Sequence, residues 1–204
     1  MHPLHRRLLG TRRGRATLVA AGVVVVALAL TAAAGGFRAA GTTDLPDLPA
    51  GRPVDLGRVE VTVIDHLVTD QVETVRLESA GAAAWLVVRA RVEAAGDETV
   101  EVLPSMMQPP PGTTLAAEPD MEVLLRDGTQ LPQAHPGLPE EVAFLWAVRD
   151  PADVPDPLPI TLLGSESYYS PIYLRDVWAG PEPVARTVVP AGAEIPEVLV
   201  EEPW

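Results

Sequence analysis

Residues 83–94 read AAWLVVRARVEA. In an extended chain Leu86, Val88, Ala90 and Val92 share one face, and Trp85, Val87, Arg89 and Arg91 share the other. A period of two with β-branched residues is the signature of a strand, because successive side chains of an extended backbone point to opposite sides. The two arginines place solvent at the far end of their face.

Working outward, Val59, Val61 and Val63 alternate with Glu60 and Thr62, and a weaker alternation runs over Gln71–Glu78. Ala95-Gly96-Asp97 is a turn signal, so Thr99–Leu103 (TVEVL) is expected to return as the hairpin partner of 83–94. A proline-rich loop follows, with Pro109-Pro110-Pro111 and a Met106-Met107 pair expected to cap the core. Met121–Arg126 reads as a strand ending at the turn dipeptide Asp127-Gly128. Glu141–Val148 places Val142, Phe144 and Trp146 on one face, and Leu158–Leu163 and Pro183–Pro190 read as further strands. No stretch after residue 57 holds a helical period, and there is no internal repeat. Many short strands separated by turns predict an all-β fold, an antiparallel immunoglobulin-like β-sandwich.

The remainder of the chain is of a different kind. Ala16 to Phe37 carries no charge over 22 residues. A helix of that length spans about 33 Å, against a hydrocarbon core of roughly 30 Å. Five arginines lie between Arg6 and Arg15, ahead of this run, and Arg38 follows it. That bias predicts a single-pass transmembrane helix with the N-terminus cytoplasmic and the C-terminal domain extracytoplasmic. The rival is a cleaved signal peptide, with an apolar stretch from Leu18 to Leu30 and an Ala32-Ala33-Ala34 cleavage site. The length of the full run favours the uncleaved anchor. The expected organisation is a basic tail over 1–15, a membrane span over 16–37, a Pro/Gly-rich linker over 38–57 and a sandwich domain over 58–204.

All 15 basic residues are arginine, which points to a GC-rich genome such as those of actinobacteria. Residues 39–204 hold nine arginines against 28 acids, a formal −19. Such a domain repels nucleic acid and anionic lipid and attracts a basic surface. The chain has no cysteine, which excludes disulfides, thiolate metal sites and a lipidated N-terminal cysteine.

The order of these features resembles the DUF4352 group of extracytoplasmic immunoglobulin-like domains, which are similar to the secreted mycobacterial MPT63-type sandwich. The matching residues are the first strand Val59–Ile64, the strand Trp85–Val92 and the small-residue turn Ala94–Asp97. Next come the Leu125–Gly128 hairpin and the Pro136-Gly137-Leu138-Pro139 element leading into Val142–Val148. The likeness covers roughly residues 59–163. It implies a fold and a compartment and no catalytic residues.

The residues offer little chemistry. His66 and His135 are the histidines of the external part, and no serine stands in a G-x-S-x-G elbow. There is no H-x-x-x-H and no acidic calcium loop; Asp150, Asp153 and Asp156 read as turn aspartates. No enzyme, cofactor or metal is therefore expected. The most unusual segment is Ser167–Trp178, SYYSPIYLRDVW, which gathers Tyr168, Tyr169, Tyr173 and Trp178. Rings with an apolar body and a polar edge favour contact surfaces. The plainer alternative is that they close one edge of the sandwich under a loop. The tail Ile195–Trp204 is expected to add an edge strand. The expected role is a non-enzymatic protein-interaction or accessory module of the cell envelope, held by the lipid bilayer through residues 16–37 and binding another envelope or membrane protein. The alternative is a ligand-binding module for an envelope glycan or cation.

Overall fold

The computed structural model describes residues 45–73 and 81–200. The expected tail (1–15), membrane span (16–37), most of the strand over Gln71–Glu78 and the terminal Trp204 lie outside those residues. Among the described residues no helix is long and apolar enough to cross a membrane.

Among the described residues there are thirteen strands: β1 (Asp47–Pro49), β2 (Val54–Asp55), β3 (Val59–Thr69), β4 (Ala84–Ala94), β5 (Val100–Glu101), β6 (Met107–Gln108), β7 (Met121–Leu124), β8 (Gln133–Ala134), β9 (Glu140–Val148), β10 (Leu158–Gly164), β11 (Ser167–Ser170), β12 (Arg175–Trp178) and β13 (Glu182–Val189). One sheet has the order β2-β3-β4-β9-β7 and a second the order β1-β13-β10-β6. Two small ribbons, β5-β8 and β11-β12, stand apart from them. Among the described residues every pairing between these strands is antiparallel except β1 with β13. The all-β expectation therefore holds, with two mainly antiparallel sheets sharing one core.

That core follows the period of two. Leu86, Val88, Ala90 and Val92 of β4 join Val61 and Val63 of β3 and Phe144 and Trp146 of β9. Leu158, Ile160 and Leu162 of β10, Ala185 and Val189 of β13 and Met107 of β6 complete the same cluster. Strand β10 alternates buried and half-buried positions along its whole length, as a strand with one face on a core must. Each fully buried aliphatic side chain contributes roughly 1.5–3 kcal/mol.

The outer face of the larger sheet is also covered, but only in part. Trp85 and Val87 of β4 pack with Val123 of β7, Leu145 of β9 and Leu199 of the C-terminal segment. Further along the same face Arg89 and Arg91 meet solvent. Arg89 makes a bidentate ion pair with Asp65, and Arg91 lies 3.2 Å from Glu141. The hydrogen bond to Asp65 holds the Arg89 guanidinium above its usual pKa. The arginines thus mark where the cover stops, as the sequence pattern requires.

Three expectations are corrected. The linker over 38–57 is shorter, because β1 and β2 already lie within it and Leu56 is buried in the core. Pro49 is tolerated there because β1 is an edge strand, where a missing N–H costs no ladder bond. Residues 99–103 are not the partner of 83–94: both edges of β4 are taken, by β3 and β9, and β5 pairs with β8 instead. Strand β7 ends at the turn expected at Asp127-Gly128, which is followed by an isolated bridge between Val123 and Gln130, and β7 pairs mainly with β9. The described part of the tail is a helical turn, Glu197–Val200, whose Leu199 plugs the outer cluster; it adds no strand. Met106 and Met107 do cap the inner core.

Candidate functional site: an exposed aromatic hairpin

Strand β10 leaves its sheet at Gly164 and the chain re-enters that sheet at Glu182, where β13 begins. Between them β11 and β12 form a ribbon with Ser167 opposite Trp178, Tyr168 opposite Val177, Tyr169 opposite Asp176 and Ser170 opposite Arg175. The tip is Pro171-Ile172-Tyr173-Leu174, and Leu174 turns it with a positive φ of 52°. The Tyr173 N–H donates to the Ser170 hydroxyl at 3.4 Å.

The ribbon is joined to the sandwich at its base. Ser165 N–H donates to the Leu56 carbonyl, and Ala179 N–H closes the neck on the Glu166 carbonyl. The Arg58 guanidinium carbon lies 5.8 Å from the Trp178 ring centroid, a cation–π contact. Gly57 makes this approach possible. Its φ is +89°, and a Cβ there would sit 2.0 Å from the Ser165 carbonyl oxygen and 3.1 Å from the Trp178 ring. Gly57→Ala is therefore expected to cost at least about 1–2 kcal/mol for the left-handed backbone alone and to part Trp178 from Arg58. A lower thermal midpoint together with altered tryptophan emission would show it; an unchanged midpoint would mean that the neck does not need this glycine.

Beyond the neck the ribbon meets solvent. Tyr168 (55% exposed), Tyr169 (58%), Ile172 (84%), Tyr173 (67%), Leu174 (75%) and Trp178 (44%) all present large apolar surface. The rings do not close an edge of the sandwich. Exposed apolar side chains scattered singly are ordinary, but six on one short ribbon are a concentration of the kind that marks an interaction site. The sequence segment containing Tyr168, Tyr169, Tyr173 and Trp178 was legible; Ile172 and Leu174 were not singled out, although they are the most exposed of the set.

Two hollows lie at the base, one of them against Trp178. One, of about 270 Å³, is lined by Gly57, Arg58, Asp97, Glu98 and Trp178. The other, of about 370 Å³, is lined by Asp55, Gly57, Glu166, Glu182 and Val184 among others. Carboxylates thus rim the base while the ribbon itself carries one arginine, Arg175, and one acid, Asp176.

The other candidate residues do not join this site. His66 lies on β3 at 3% exposure, and its Nδ1 has no hydrogen-bond partner among the described residues. Its backbone is held by Pro190 and Gly192. His135 Nδ1 is 2.9 Å from the Thr99 hydroxyl. Asp150 caps a short turn by accepting from Ala152 N–H at 2.9 Å. Glu122 is 5% exposed on the inner face of β7. Burial, and then the nearby charges of Glu101 and Glu118, push its pKa up to about 7 against a weaker opposing backbone hydrogen bond.

No protein-family model matches the chain, and no curated protein does either. Among solved structures, a candidate lipoprotein from Bacillus subtilis is similar at 11% identity and a TM-score of 0.37. The match covers 65% of this chain, and the chain spans 38% of that protein's length.

Proposed function

We propose that this protein is a non-catalytic interaction module of the cell envelope: an immunoglobulin-like β-sandwich, tethered by residues 16–37, that binds another envelope or membrane protein. The observation that carries this reading is the aromatic ribbon, which leaves six large apolar side chains in solvent at the end of a well-packed sandwich. Keeping such a patch uncovered invites association, so its natural state is a covered one. Tyrosine and tryptophan at the base supply rigid area with a polar edge, the composition of energetic centres in protein interfaces. The carboxylates around the two hollows favour a partner with arginine or lysine at its rim, through steering more than through affinity.

Photo-crosslinking tests the reading. Tyr168 is exposed and outside the core, so a benzophenone amino acid in its place leaves the fold intact. In membranes of the native host it is expected to give a discrete protein adduct that the same probe at Ala152, an exposed turn position, does not give. Identical patterns at the two positions would overturn the interaction-module reading.

A further inference from the structure

We propose that the hollow at the foot of the ribbon, between Trp178, Arg58 and the turn over 95–98, binds one neutral pyranose ring of a glycan. The inference goes beyond the protein-partner reading: Ile172, Tyr173 and Leu174 at the tip line no part of this hollow.

The hollow holds about 270 Å³. That is just under the range of about 300–1,000 Å³ of small-molecule sites, which leaves room for a single ring unit of a larger ligand. Its walls are fixed before any ligand arrives. Trp178 is set on β12 by its pairing with Ser167, and the next residue, Ala179, is tied to the Glu166 carbonyl. The Arg58 guanidinium lies over the ring and Gly57 sits close beside it. Ala95 N–H donates to the Arg58 carbonyl at 3.0 Å, which joins the 95–98 turn to the wall that carries Arg58. A site held in place in advance costs a ligand little ordering on binding. Trp178 still keeps 44% exposure. An aromatic ring offers a negative face, and the faintly positive C–H groups along one face of a pyranose complement it.

The polar groups select among ligand charges. Arg58 forms no ion pair among the described residues, and its buried Nε has no acceptor there. The side chains of Asp97 and Glu98 are exposed and likewise uncommitted among those residues. The hollow thus brings unused donors and unused acceptors to one space. An anion would pair with Arg58 but face both carboxylates, in a chain whose residues 39–204 hold nine arginines against 28 acids. A cation would pair with the carboxylates but meet the guanidinium and leave it unused. A hydroxyl both donates and accepts, so a neutral polyol engages both kinds of group without burying a net charge. A pyranose combines the two requirements, with hydroxyls around its edge for Arg58, Asp97 and Glu98 and an apolar face for Trp178.

Sugar titration of the full chain tests the site. The isotope-labelled protein is held in phosphocholine micelles, which bring no sugar of their own. The probes are methyl glucoside, methyl mannoside, methyl galactoside and N-acetylglucosamine, with glucuronate and methylguanidinium as charged counterparts. At least one neutral probe is expected to move the Trp178 indole N–H signal to saturation. Glucuronate should bind several-fold more weakly, by a gap that narrows as salt screens the carboxylates. Saturation transfer from protein to sugar then reads the variants. Binding should weaken about tenfold in Trp178→Ala, which removes the stacking face. It should weaken several-fold when Asp97→Ala and Glu98→Ala are combined, a change on an exposed turn that leaves the ring in place, and stay unchanged in Ala152→Ser, at another exposed turn. No saturable response to any neutral probe would overturn the sugar site and leave the protein-partner reading standing, since crosslinking from Tyr168 reads that separately. A response to methylguanidinium alone would also overturn it and give the hollow to a basic side chain of the partner. Sugar binding that survives Trp178→Ala undiminished would sink it as well.

Discussion

Trp146→Ala is expected to destabilise the fold by about 3–5 kcal/mol, the usual cost of deleting a large buried ring. Trp146 is fully buried on the inner face of β9, in the cluster that both sheets share. Its ring stacks on Phe144 with centroids 6.4 Å apart and planes 29° from parallel. Its indole N–H donates to the Ala117 carbonyl at 3.4 Å, which ties the proline-rich loop to the sheet. The substitution removes dispersion contacts, leaves a cavity that two rigid sheets cannot close, and frees that loop. Against a total stability of about 5–15 kcal/mol for a domain of this kind, the loss is large enough to bring the protein near its unfolding threshold. Urea titration checks it. Leu131→Ala is the control, since Leu131 is 66% exposed and its change should stay within about 0.5 kcal/mol. A Trp146→Ala loss below that of a single methylene group would mean that the sheets are not held together through this ring.

The second large effect is a pH dependence carried by Glu122. Its carboxyl lies on the inner face of edge strand β7, opposite Phe144, and its Oε1 is buried without a hydrogen-bond partner among the described residues. Desolvation raises its folded pKa to about 7 from 4.5. The sign follows from which state holds the proton. Below pH 4.5 both states are protonated and Glu122 exacts no penalty. Between 4.5 and 7 the unfolded chain ionises first, so stability falls as pH rises. Above 7 the penalty is constant. One pKa unit corresponds to 1.36 kcal/mol, so a shift from 4.5 to about 7 makes the full loss on the order of 3 kcal/mol. Glu122→Gln should match the parent near pH 4.5 and exceed it by that amount at pH 8. Parallel stability curves for the two proteins would show that the carboxyl is hydrated after all. The residue also has a use. An inward-pointing acid on an edge strand disfavours edge-to-edge pairing with another sheet, at some expense in stability.

Much of the sandwich was legible because its physics is local. Side chains alternate about an extended backbone, so Leu86, Val88, Ala90 and Val92 announced a buried face before any partner was known, and Phe144 and Trp146 did the same for β9. What failed was pairing. Thr99–Leu103 follows a turn and looks like the return strand of β4, yet β3 and β9 occupy both edges of β4. Hydrogen-bond partners far apart in sequence leave no local trace, and a neighbour that buries more apolar area displaces the adjacent one. Leu48 and Leu56 sit among prolines and glycines and lack a period, so β1 and β2 passed for a linker.

The ribbon divides in the same way. Sequence alone identified a segment rich in tyrosine and tryptophan, and composition alone named the contact chemistry such rings perform. Composition is identical for a ring buried under a loop and a ring standing in water. Only the tertiary structure decided between them, by ending β10 at Gly164, starting β13 at Glu182 and leaving the residues between with no sheet to cover them. The apolar period, the absent cysteine, the acidity and the uncharged run are properties of the chain and were readable from it. Exposure is a property of what else is nearby, and among the described residues nothing lies close enough to cover Ile172, Tyr173 and Leu174.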